Sequence, residues 1–575
     1  MTALAVSTAI SSGRGELVNV RQKSLLMAKW RVLWVVLAFA VLAVAALLRI
    51  GYLGLFEPAP QRQDLSMALL PERGDIVDRN GVPLARAFPA YSLWFNPAAL
   101  GEGGPPLVKS PREVAETLAL TFPDLDVNLL TVRLAEGRPG YLRRRILPED
   151  ANRIHQLGEP ALEFPRETER FYPQGAMAAH VLGFVGADGH GHVGMEQVFD
   201  KRLADPATRG TPAMLALDTR VQGALEDELS RGMAESNAKG AAGIVLDVDT
   251  GEVLALASLP SFNPNLIDRA GEANIFNRVT NQVYELGSTF KPITVAAAID
   301  AGTVTDLSRR YQATRPIAIG GFQIRDSHPF GGSLNVPEAL IHSSNVVTAQ
   351  IADELGGARL NATMRSLGMN ERPYIELPAR GFPLWPRGDW SRITTMTVSY
   401  GHGIAVTPLH LASSYAALVN GGVWRPATLI KVEPGQAAPG RRVFKASTSA
   451  RMRQLLRMIV SIGTGKKANA VGYRVGGKTG SAEKPGDGGY RRSSLVATFA
   501  AAFPMDRPRY VIIAMLDEPQ GTAATSGQRT AAWNTAPIVG RVVPRIGPLL
   551  GIMPDATRDV DITDLAPLVG GGGSE

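Results

Sequence analysis

One uninterrupted apolar run stands out near the amino terminus. Residues 32–48 carry no charge and no strongly polar side chain. With residues 50–52 the run nears the ~20 residues that cross about 30 Å of hydrocarbon. The alternative is a signal-peptide core, which spans only about 7–15 apolar residues and precedes a small-residue cleavage site that is not evident here. The pattern therefore predicts an uncleaved transmembrane helix over residues 32–50.

Beyond this helix the hydropathy pattern alternates between strands and helices. Residues 241–258 indicate two strands around an Asp-Thr-Gly turn, and residues 473–484, 495–503 and 510–516 indicate three consecutive strands. The gaps between the last three are short enough for antiparallel neighbours. The region between the two sets, about residues 288–470, is richer in helical pattern. Strands at both ends with helices between them predict an α+β domain.

The net charge of +7 is unevenly distributed. Residues 1–31 hold five Lys or Arg and one Glu, a net charge of +4, and the other 544 residues carry only +3. Positive charge beside an apolar span marks its cytoplasmic side, so the amino terminus is predicted to be cytoplasmic and the rest extracytoplasmic. Nucleic acid is disfavoured as a partner because no basic run follows the span. The lack of cysteine excludes disulfides, a thiol nucleophile and thiolate metal sites.

The first candidate for chemistry is Ser288, three residues before Lys291 in a Gly-Ser-Thr-Phe-Lys-Pro segment. An Ala-rich stretch ending at Gly302 follows and predicts a helix. If the helix starts at Ser288, the hydroxyl and the amine share one face, as a nucleophile and its base require. The amine serves as a base only if desolvation and nearby cations lower its pKa. Alone, this spacing fits an N-capping serine with a solvated lysine equally well.

Two more short motifs follow. Ser343-Ser344-Asn345 lies between two helical patterns, where a helix cap is the ordinary alternative. Lys478-Thr479-Gly480-Ser481 lies on a predicted strand after Gly476-Gly477, small residues that would let a substrate backbone come close. Each motif is weak alone. In this order, 55 and then 135 residues apart, on helix, loop and strand, S-x-x-K, S-x-N and K-T-G form a specific set.

Other kinds of site are disfavoured. Gly463-Thr464-Gly465-Lys466 lacks the spacing of a phosphate-binding loop. His190 and His192 have no third ligand cluster in the sequence and are predicted to be solvated loop residues, so no metal is expected. The sequence has no G-x-S-x-G elbow of an α/β-hydrolase.

With these motifs the chain resembles the class B penicillin-binding proteins, membrane-anchored peptidoglycan D,D-transpeptidases. The resemblance covers nearly the whole chain. Besides the apolar span and the terminal strands, it is carried by RGDIVDRNGVPLA (73–85), RFYPQGAMAAHVLGFVG (170–186), DVDTGEVLALAS (247–258), YELGSTFKP (284–292), SSN (343–345), YGHGIAVTPLHLA (400–412) and GTGKKANAVGYRVGGKTGS (463–481). Leu286 in place of a common Pro, and Ser481 in place of a common Thr, are mild departures.

The resemblance implies an α+β penicillin-binding/serine transpeptidase fold, an antiparallel sheet with helices on both sides. It adds an elongated amino-terminal domain, here called the pedestal, and one transmembrane helix. The expected segments are a cytoplasmic tail (1–31), the transmembrane helix (32–50), a linker (51–70), the pedestal (71–230), the transpeptidase domain (231–550) and a loose carboxyl-terminal tail (551–575).

The resemblance also assigns roles by position. Ser288 would attack the carbonyl of the penultimate D-Ala of a stem peptide, Lys291 would take its proton, and Ser343 would relay a proton to the leaving amine. A second stem-peptide amine would then resolve the acyl-enzyme, and β-lactams would acylate the same serine. The substrate-binding residues would be Asn345, Lys478, Thr479, Gly480 and Ser481.

The substrate-binding residues have different implied roles. Asn345 would hydrogen-bond the substrate amide, and Lys478 would supply positive potential that keeps Lys291 deprotonated. The hydroxyls of Thr479 and Ser481 would hold the terminal carboxylate. Backbone N–H groups of Ser288 and Ser481 would stabilise the oxyanion, such donors being worth about 3–4 kcal/mol each. No cofactor and no metal are implied.

Two features favour the septal, division-specific type over the elongation type: the S-S-N form of the second motif and Tyr400-Gly401-His402-Gly403 before the T-P-L segment. An elongation-type enzyme, or a non-catalytic β-lactam sensor or scaffold with the same fold, are the alternatives. The resemblance implies a single-pass protein of the inner membrane at the division septum, with its catalytic domain in the periplasm. The implied partners are peptidoglycan stem peptides, β-lactams, a membrane-embedded glycan polymerase and other division proteins.

Overall fold

The chain divides into two units, residues 1–70 and 71–575, and the described residues of the first form one long helix. The computed structural model describes residues 13–56, 72–101, 103–186, 188–269, 271–486 and 489–569. Helix α1 runs over Gly13–Phe56, and its segment Lys23–Ile50 is apolar and long enough to cross a membrane. The predicted span lies inside it, and the helix continues six residues into the predicted linker. Residues 1–12 and 57–71 lie outside the described residues.

The amino-terminal part of the second unit is built around a six-stranded sheet. The long central strand is β2, which pairs antiparallel with β1, β3, β4 and β5. Strand β1 also pairs in parallel with β6. The strands are β1 (Ile76–Val77), β2 (Pro83–Phe95), β3 (Gly140–Ile146), β4 (Leu162–Glu163), β5 (Arg166–Phe171) and β6 (Ala213–Met214). The helices are α2 (Pro111–Thr121), α3 (Val127–Ala135), α4 (Pro148–His155), α5 (Ala179–Leu182), α6 (Gly194–Val198), α7 (Asp200–Ala204) and α8 (Thr219–Glu235).

A buried ion cluster joins the start of this part to its Gly-rich segment. The carboxylate of Glu196 is fully buried and accepts from Arg73 at 2.8 Å and from Arg170 at 2.6 Å. Asp200 takes a further hydrogen bond from Arg73 at 2.8 Å, and the Arg170 guanidinium also donates to the Gly74 carbonyl. Because buried charges are stable only when paired, two distant segments must meet here for the domain to fold.

The remaining part carries a five-stranded antiparallel sheet of order β15-β16-β17-β7-β8. Its strands are β7 (Gly240–Asp247), β8 (Val253–Leu259), β15 (Gly476–Gly486), β16 (Gly489–Phe503) and β17 (Tyr510–Asp517). Short strands outside this sheet are β9 (Tyr311–Gln312), β10 (Ile317–Ile319), β11 (Phe322–Ile324), β12 (Ser333–Leu334), β13 (Val423–Trp424) and β14 (Arg441–Arg442). The three predicted carboxyl-terminal strands are present, and they pair as antiparallel neighbours.

Helices cover both faces of this sheet, as expected. Besides α8, which packs on β7 and β8, the helices of this part are α9 (Glu272–Ile275), α10 (Lys291–Asp300), α11 (Val336–Ile341), α12 (Asn345–Leu355), α13 (Gly357–Ser366), α14 (Arg392–Val398), α15 (Pro408–Val419), α16 (Ala446–Ser461) and α17 (Thr535–Ile546). Alternate residues of β17 enter different cores: Ile512 packs with α8 and α17, and Ile513 packs with α15. Burial on both faces explains why every position of β7, β8 and β17 is buried.

The carboxyl-terminal tail, predicted to be loose, instead packs along α16 as far as residue 569. Arg457 of α16 forms an ion pair with Asp559 at 2.7 Å, and Asn335 donates its side-chain amide to the Leu568 carbonyl at 2.7 Å. These contacts make the tail part of the domain. The sequence did not predict this, because the polar residues that form the contacts are spread along the chain without a recognisable pattern. The glycine-rich end, residues 570–575, lies outside the described residues.

We expect Glu196→Gln to destabilise the protein by about 3–5 kcal/mol, since it leaves the buried Arg170 guanidinium without a charged partner and Arg73 with Asp200 alone. Urea unfolding of the full-length protein in detergent measures this. Glu116→Gln is the matched control, because Glu116 forms an exposed pair with Arg112 and its loss should change little. Equal midpoints for the two variants would contradict the prediction.

Candidate active site

Ser288 lies on a tight turn that leads into α10. The turn is a 3-10 helix over Gly287–Phe290, and α10 begins only at Lys291, whose backbone N–H donates to the Ser288 carbonyl. The prediction of a shared face assumed a helix starting at Ser288, whereas the α-helix begins three residues later. Pro292 lies in the first turn, where its missing N–H costs little. Among the described residues the half-buried Ser288 hydroxyl has no hydrogen-bond partner.

Glycines let two other segments pack against this turn. A Cβ at Gly480 would lie 2.4 Å from the Leu286 carbonyl oxygen, and one at Gly401 would lie 2.2 Å from that of Gly287. Gly401 also has φ +82°, a conformation that favours glycine. The glycine of K-T-G is thus required for packing against the nucleophile turn. A Cβ at Gly476 or Gly477 would likewise lie under 3 Å from protein atoms, so packing against the protein accounts for both glycines, whereas the sequence suggested close approach of a substrate.

The S-x-N motif bridges α11 and α12. Ser343 has a left-handed backbone, φ +63°, which ends one helix and turns its side chain towards the lysines. Ser344 then caps α12 by accepting from the Val347 N–H at 3.1 Å, and Asn345 is the first residue of that helix. Both the predicted cap and the predicted loop therefore occur, on neighbouring residues.

Two buried lysines meet at Ser343. The Ser343 hydroxyl oxygen lies 3.1 Å from Nζ of Lys291 and 2.8 Å from Nζ of Lys478. Lys291 also donates to the Ser343 carbonyl, and Lys478 donates to the Thr479 carbonyl at 3.1 Å. Neither lysine is exposed to solvent. The hydroxyl thus connects the base of the first motif to the amine of the third.

Burial changes the protonation of both amines. It lowers the pKa of Lys291 well below the ordinary lysine value, and the adjacent charge of Lys478 lowers it further, against a weaker opposing effect of Asp326. Burial alone lowers the pKa of Lys478 to about 7. We take Lys291 as the neutral member of the pair, since two ammonium groups cannot both be kept this close without water. A neutral amine three residues from a serine can accept the proton of the serine hydroxyl.

The other predicted residues surround this centre. The Thr479 hydroxyl lies 3.0 Å from that of Thr464 and 3.3 Å from Nζ of Lys478. The Ser481 hydroxyl accepts from the Ala531 N–H at 3.0 Å, which orients it on β15, an edge strand of the sheet. Asn345 donates its side-chain amide to the Arg325 carbonyl at 2.8 Å. Thr464, to which the sequence assigned no role, therefore also belongs to this site.

Two acidic residues at the site carry no sequence signal. Asp326 accepts from the Ser344 hydroxyl at 2.8 Å and from two backbone N–H groups at the start of α12. Glu285, three residues before Ser288, accepts from the Gly403 N–H at 3.0 Å and from the Tyr490 hydroxyl at 3.0 Å. His402 lies 3.3 Å from the same carboxylate. These contacts join residues far apart in the sequence, so spacing could not reveal them.

The histidines considered for a metal are otherwise engaged. His190 pairs with Asp200 at 2.9 Å, and His192 with Asp188 at 3.0 Å. Over the part of the chain that the structure describes, no group of three or more His, Asp or Glu side chains is arranged to hold a metal ion.

Known families and proteins match this arrangement. The model of the penicillin-binding protein transpeptidase domain matches residues 241–538, and that of the penicillin-binding protein dimerisation domain matches residues 68–244. The chain is 38% identical to the probable peptidoglycan D,D-transpeptidase FtsI of Caulobacter vibrioides, covering 89% of this chain and 87% of that protein. The chain belongs to the class B penicillin-binding protein family. Its catalytic part is accordingly a penicillin-binding transpeptidase domain.

Further relatives agree with this family. Peptidoglycan D,D-transpeptidase FtsI of Escherichia coli K12 is 32% identical, with 85% of each chain covered. Penicillin-binding protein 3 of Mycobacterium tuberculosis, solved in complex with ampicillin, superimposes with a TM-score of 0.67 at 26% identity, over 85% of this chain and 98% of that one. Its complex with aztreonam gives a TM-score of 0.66 at 27% identity, over 84% and 98%. The expected fold, an α+β transpeptidase domain with an amino-terminal domain, is confirmed.

We expect Lys478→Gln to shift the acid limb of the pH–acylation profile to higher pH. Removing the Lys478 charge removes one of the effects that lower the pKa of Lys291, so Lys291 would lose its proton only at higher pH. The measurement is the rate of acylation by benzylpenicillin between pH 5 and 9. A lower rate with an unshifted limb would show that Lys478 does not influence the base.

Proposed function

We propose that this protein is the septal peptidoglycan D,D-transpeptidase of its cell, and a target of β-lactams. One observation carries the proposal: a serine hydroxyl held between two buried lysine amines, beside the turn that bears Ser288. The relatives named FtsI favour the division-specific type over the elongation type. The intact set of motifs disfavours a non-catalytic sensor.

The reaction is a two-step acyl transfer. Ser288 attacks the carbonyl of the penultimate D-Ala of a donor stem peptide as neutral Lys291 accepts its proton, and Ser343 passes a proton to the leaving D-Ala. An amine of a second stem peptide then attacks the ester and forms the crosslink. Because the acyl-enzyme divides one difficult step into two, a serine suffices without a cofactor.

The residues of the second and third motifs bind the substrate. Lys478 and the hydroxyls of Thr479 and Ser481 bind the terminal carboxylate of the substrate. Asn345 hydrogen-bonds the substrate amide once its side chain no longer donates to the Arg325 carbonyl. Gly480 keeps β15 close to the turn, so that the backbone N–H groups of Ser288 and Ser481 can bind one oxyanion. The open edge of β15 supports this assignment, because an extended peptide can pair with it.

The apolar segment of α1 and the basic residues that precede that segment support the proposed location. We place residues 1–31 in the cytoplasm and the catalytic domain in the periplasm, with the protein at the division septum. There the helix and the pedestal would contact a membrane-embedded glycan polymerase and other division proteins.

Ser288→Ala should abolish covalent labelling by a fluorescent penicillin, because no other residue replaces the nucleophile. Labelling is read on a denaturing gel, and crosslinks formed from lipid II glycan strands are counted by mass spectrometry. Ser308→Ala, which alters an exposed serine whose hydroxyl bonds to Asp306, is the control and should label fully. Full labelling of Ser288→Ala would refute the assignment, and labelling without crosslinks in the unaltered protein would favour a sensor.

Protease added to spheroplasts should digest the region after residue 72 and leave the amino-terminal tail protected. A tag placed before residue 13 and an antibody against the catalytic domain report the two sides. A protected catalytic domain would overturn the proposed orientation.

A further inference from the structure

A small cavity of about 100 Å³ lies in the transpeptidase domain at the end of α13. Its walls come from the last turn of α13 and the loop after it (365–374), from α15, and from the β13–β14 pair. No residue of the three motifs lines it. Since a protein cavity of about 150 Å³ holds one benzene molecule, this cavity suits a single compact group and is too small for a peptide or a sugar.

Three exposed arginines line the cavity: Arg365, Arg372 and Arg441. Within the described ranges of the chain, none of the three forms an ion pair with a carboxylate. Another exposed arginine of the domain, Arg392, does form one, with Asp353 at 2.7 Å. A cleft lined by charges of one sign attracts ions of the opposite sign, so this clustering favours an anionic ligand.

The guanidinium of Arg441 is held by two neutral contacts. Arg441 on β14 lies opposite Trp424 on β13, and its guanidinium carbon is 4.7 Å from the centre of the indole ring. Its Nε donates to the Ser366 carbonyl at 2.9 Å. These contacts use the face and one edge of the guanidinium. Its two terminal nitrogens have no acceptor among the residues that the structure describes.

Arg365 and Arg372 are positioned in a similar way. Nε of Arg365 donates to the side-chain oxygen of Asn361, one turn earlier on α13, at 2.7 Å. A terminal nitrogen of Arg372 donates to the Arg380 carbonyl. Each arginine is thus held by a neutral acceptor, and its other nitrogens have no acceptor in the described part of the chain. Donors held in a planar fork match the oxygens of an oxyanion and lose little freedom on binding it.

The charge of the lining indicates how many charges the ligand carries. Besides the three arginines, the exposed Glu371 lines the cavity and has no cation partner over the described residues. His410 also lines it, but burial lowers the pKa of His410 to about 4, so its ring is neutral at neutral pH. Three positive charges and one negative charge leave a net charge of +2. A dianion would balance it.

We propose that this cavity binds a phosphate group, either as free phosphate or as a phosphate monoester at the end of a larger molecule. Such a group carries close to two negative charges at neutral pH and three strong acceptor oxygens, one for each arginine. A carboxylate offers only one charge and two oxygens, which leaves the third arginine unpaired. This binding site is separate from the transpeptidase centre and does not depend on the proposed reaction.

The test measures anion binding to the full-length protein in non-ionic detergent by isothermal titration calorimetry. Inorganic phosphate is titrated above pH 7, where it is mostly a dianion, and chloride keeps the ionic strength constant. Acetate, a monoanion with two oxygens, is titrated in the same way. Phosphate should bind saturably, and acetate should bind at least about tenfold more weakly, the loss expected for one missing charge-assisted hydrogen bond.

Substitutions in the cavity should change the affinity for phosphate in opposite directions. Arg365→Gln and Arg372→Gln should each weaken binding about tenfold. Glu371→Gln should tighten binding about threefold, because it removes one exposed charge of the same sign as the ligand. Arg359→Gln is the matched control and should leave the affinity unchanged, because Arg359 is exposed on the same helix but does not line the cavity. The thermal midpoint of each variant in chloride buffer verifies folding.

Glycerol 3-phosphate distinguishes the two sources of the group. Binding of glycerol 3-phosphate at least as tight as that of inorganic phosphate would support a phosphate monoester on a larger molecule. Binding of inorganic phosphate alone would support the free ion.

Three results would overturn the inference. The unaltered protein could show no saturable binding of phosphate, or could bind acetate as tightly as phosphate. Arg365→Gln and Arg372→Gln could both keep the full affinity, which would place the bound anion elsewhere. Glu371→Gln could weaken binding, which would show that charge in this cavity does not set the affinity.

Discussion

The burial of two lysine amines around one serine hydroxyl is the constraint on which the rest of the structure depends. A buried ammonium is costly unless it is paired, and among the residues that the structure describes no carboxylate bonds directly to either amine. The penalty for burying a charge is avoided at Lys291, because its lowered pKa favours the neutral amine. Such an amine exists only where water is excluded, so α10, α11 and β15 must close around it with little room for error.

That closure is achieved at a junction of backbones. The turn bearing Ser288 touches β15 at Gly480 and the 400–403 turn at Gly401, and the buried Tyr415 hydroxyl donates to the Thr289 carbonyl at 2.8 Å. Side chains at either glycine would push these segments apart. Main-chain packing therefore fixes the geometry of the site and determines where the reactive side chains lie.

How much of this could be predicted from the sequence depends on the range of the contacts. Alternating or continuous apolar runs identified β15, β16 and β17, because burial of a sheet is a local property of the sequence. The motif order identified the lysines and serines that meet. The left-handed backbone of Ser343, the cap that Asp326 forms on α12 and the packed tail could not be predicted, since each depends on partners distant in the chain. Gly476 and Gly477 were misinterpreted because a small residue gives the same signal for a ligand and for packing.

The order of the strands has a consequence for how the protein is made. Residues of β7 pair with those of β17, as Val245 does with Ile512, so the centre of the sheet joins segments more than 260 residues apart. Until β17 emerges, β7 and β8 form a two-stranded ribbon that is apolar on both faces and has an open edge. Such high contact order slows folding and exposes surfaces prone to aggregation. The newly made chain must therefore keep the other edge of β7 unpaired until nearly all of the domain has been synthesised.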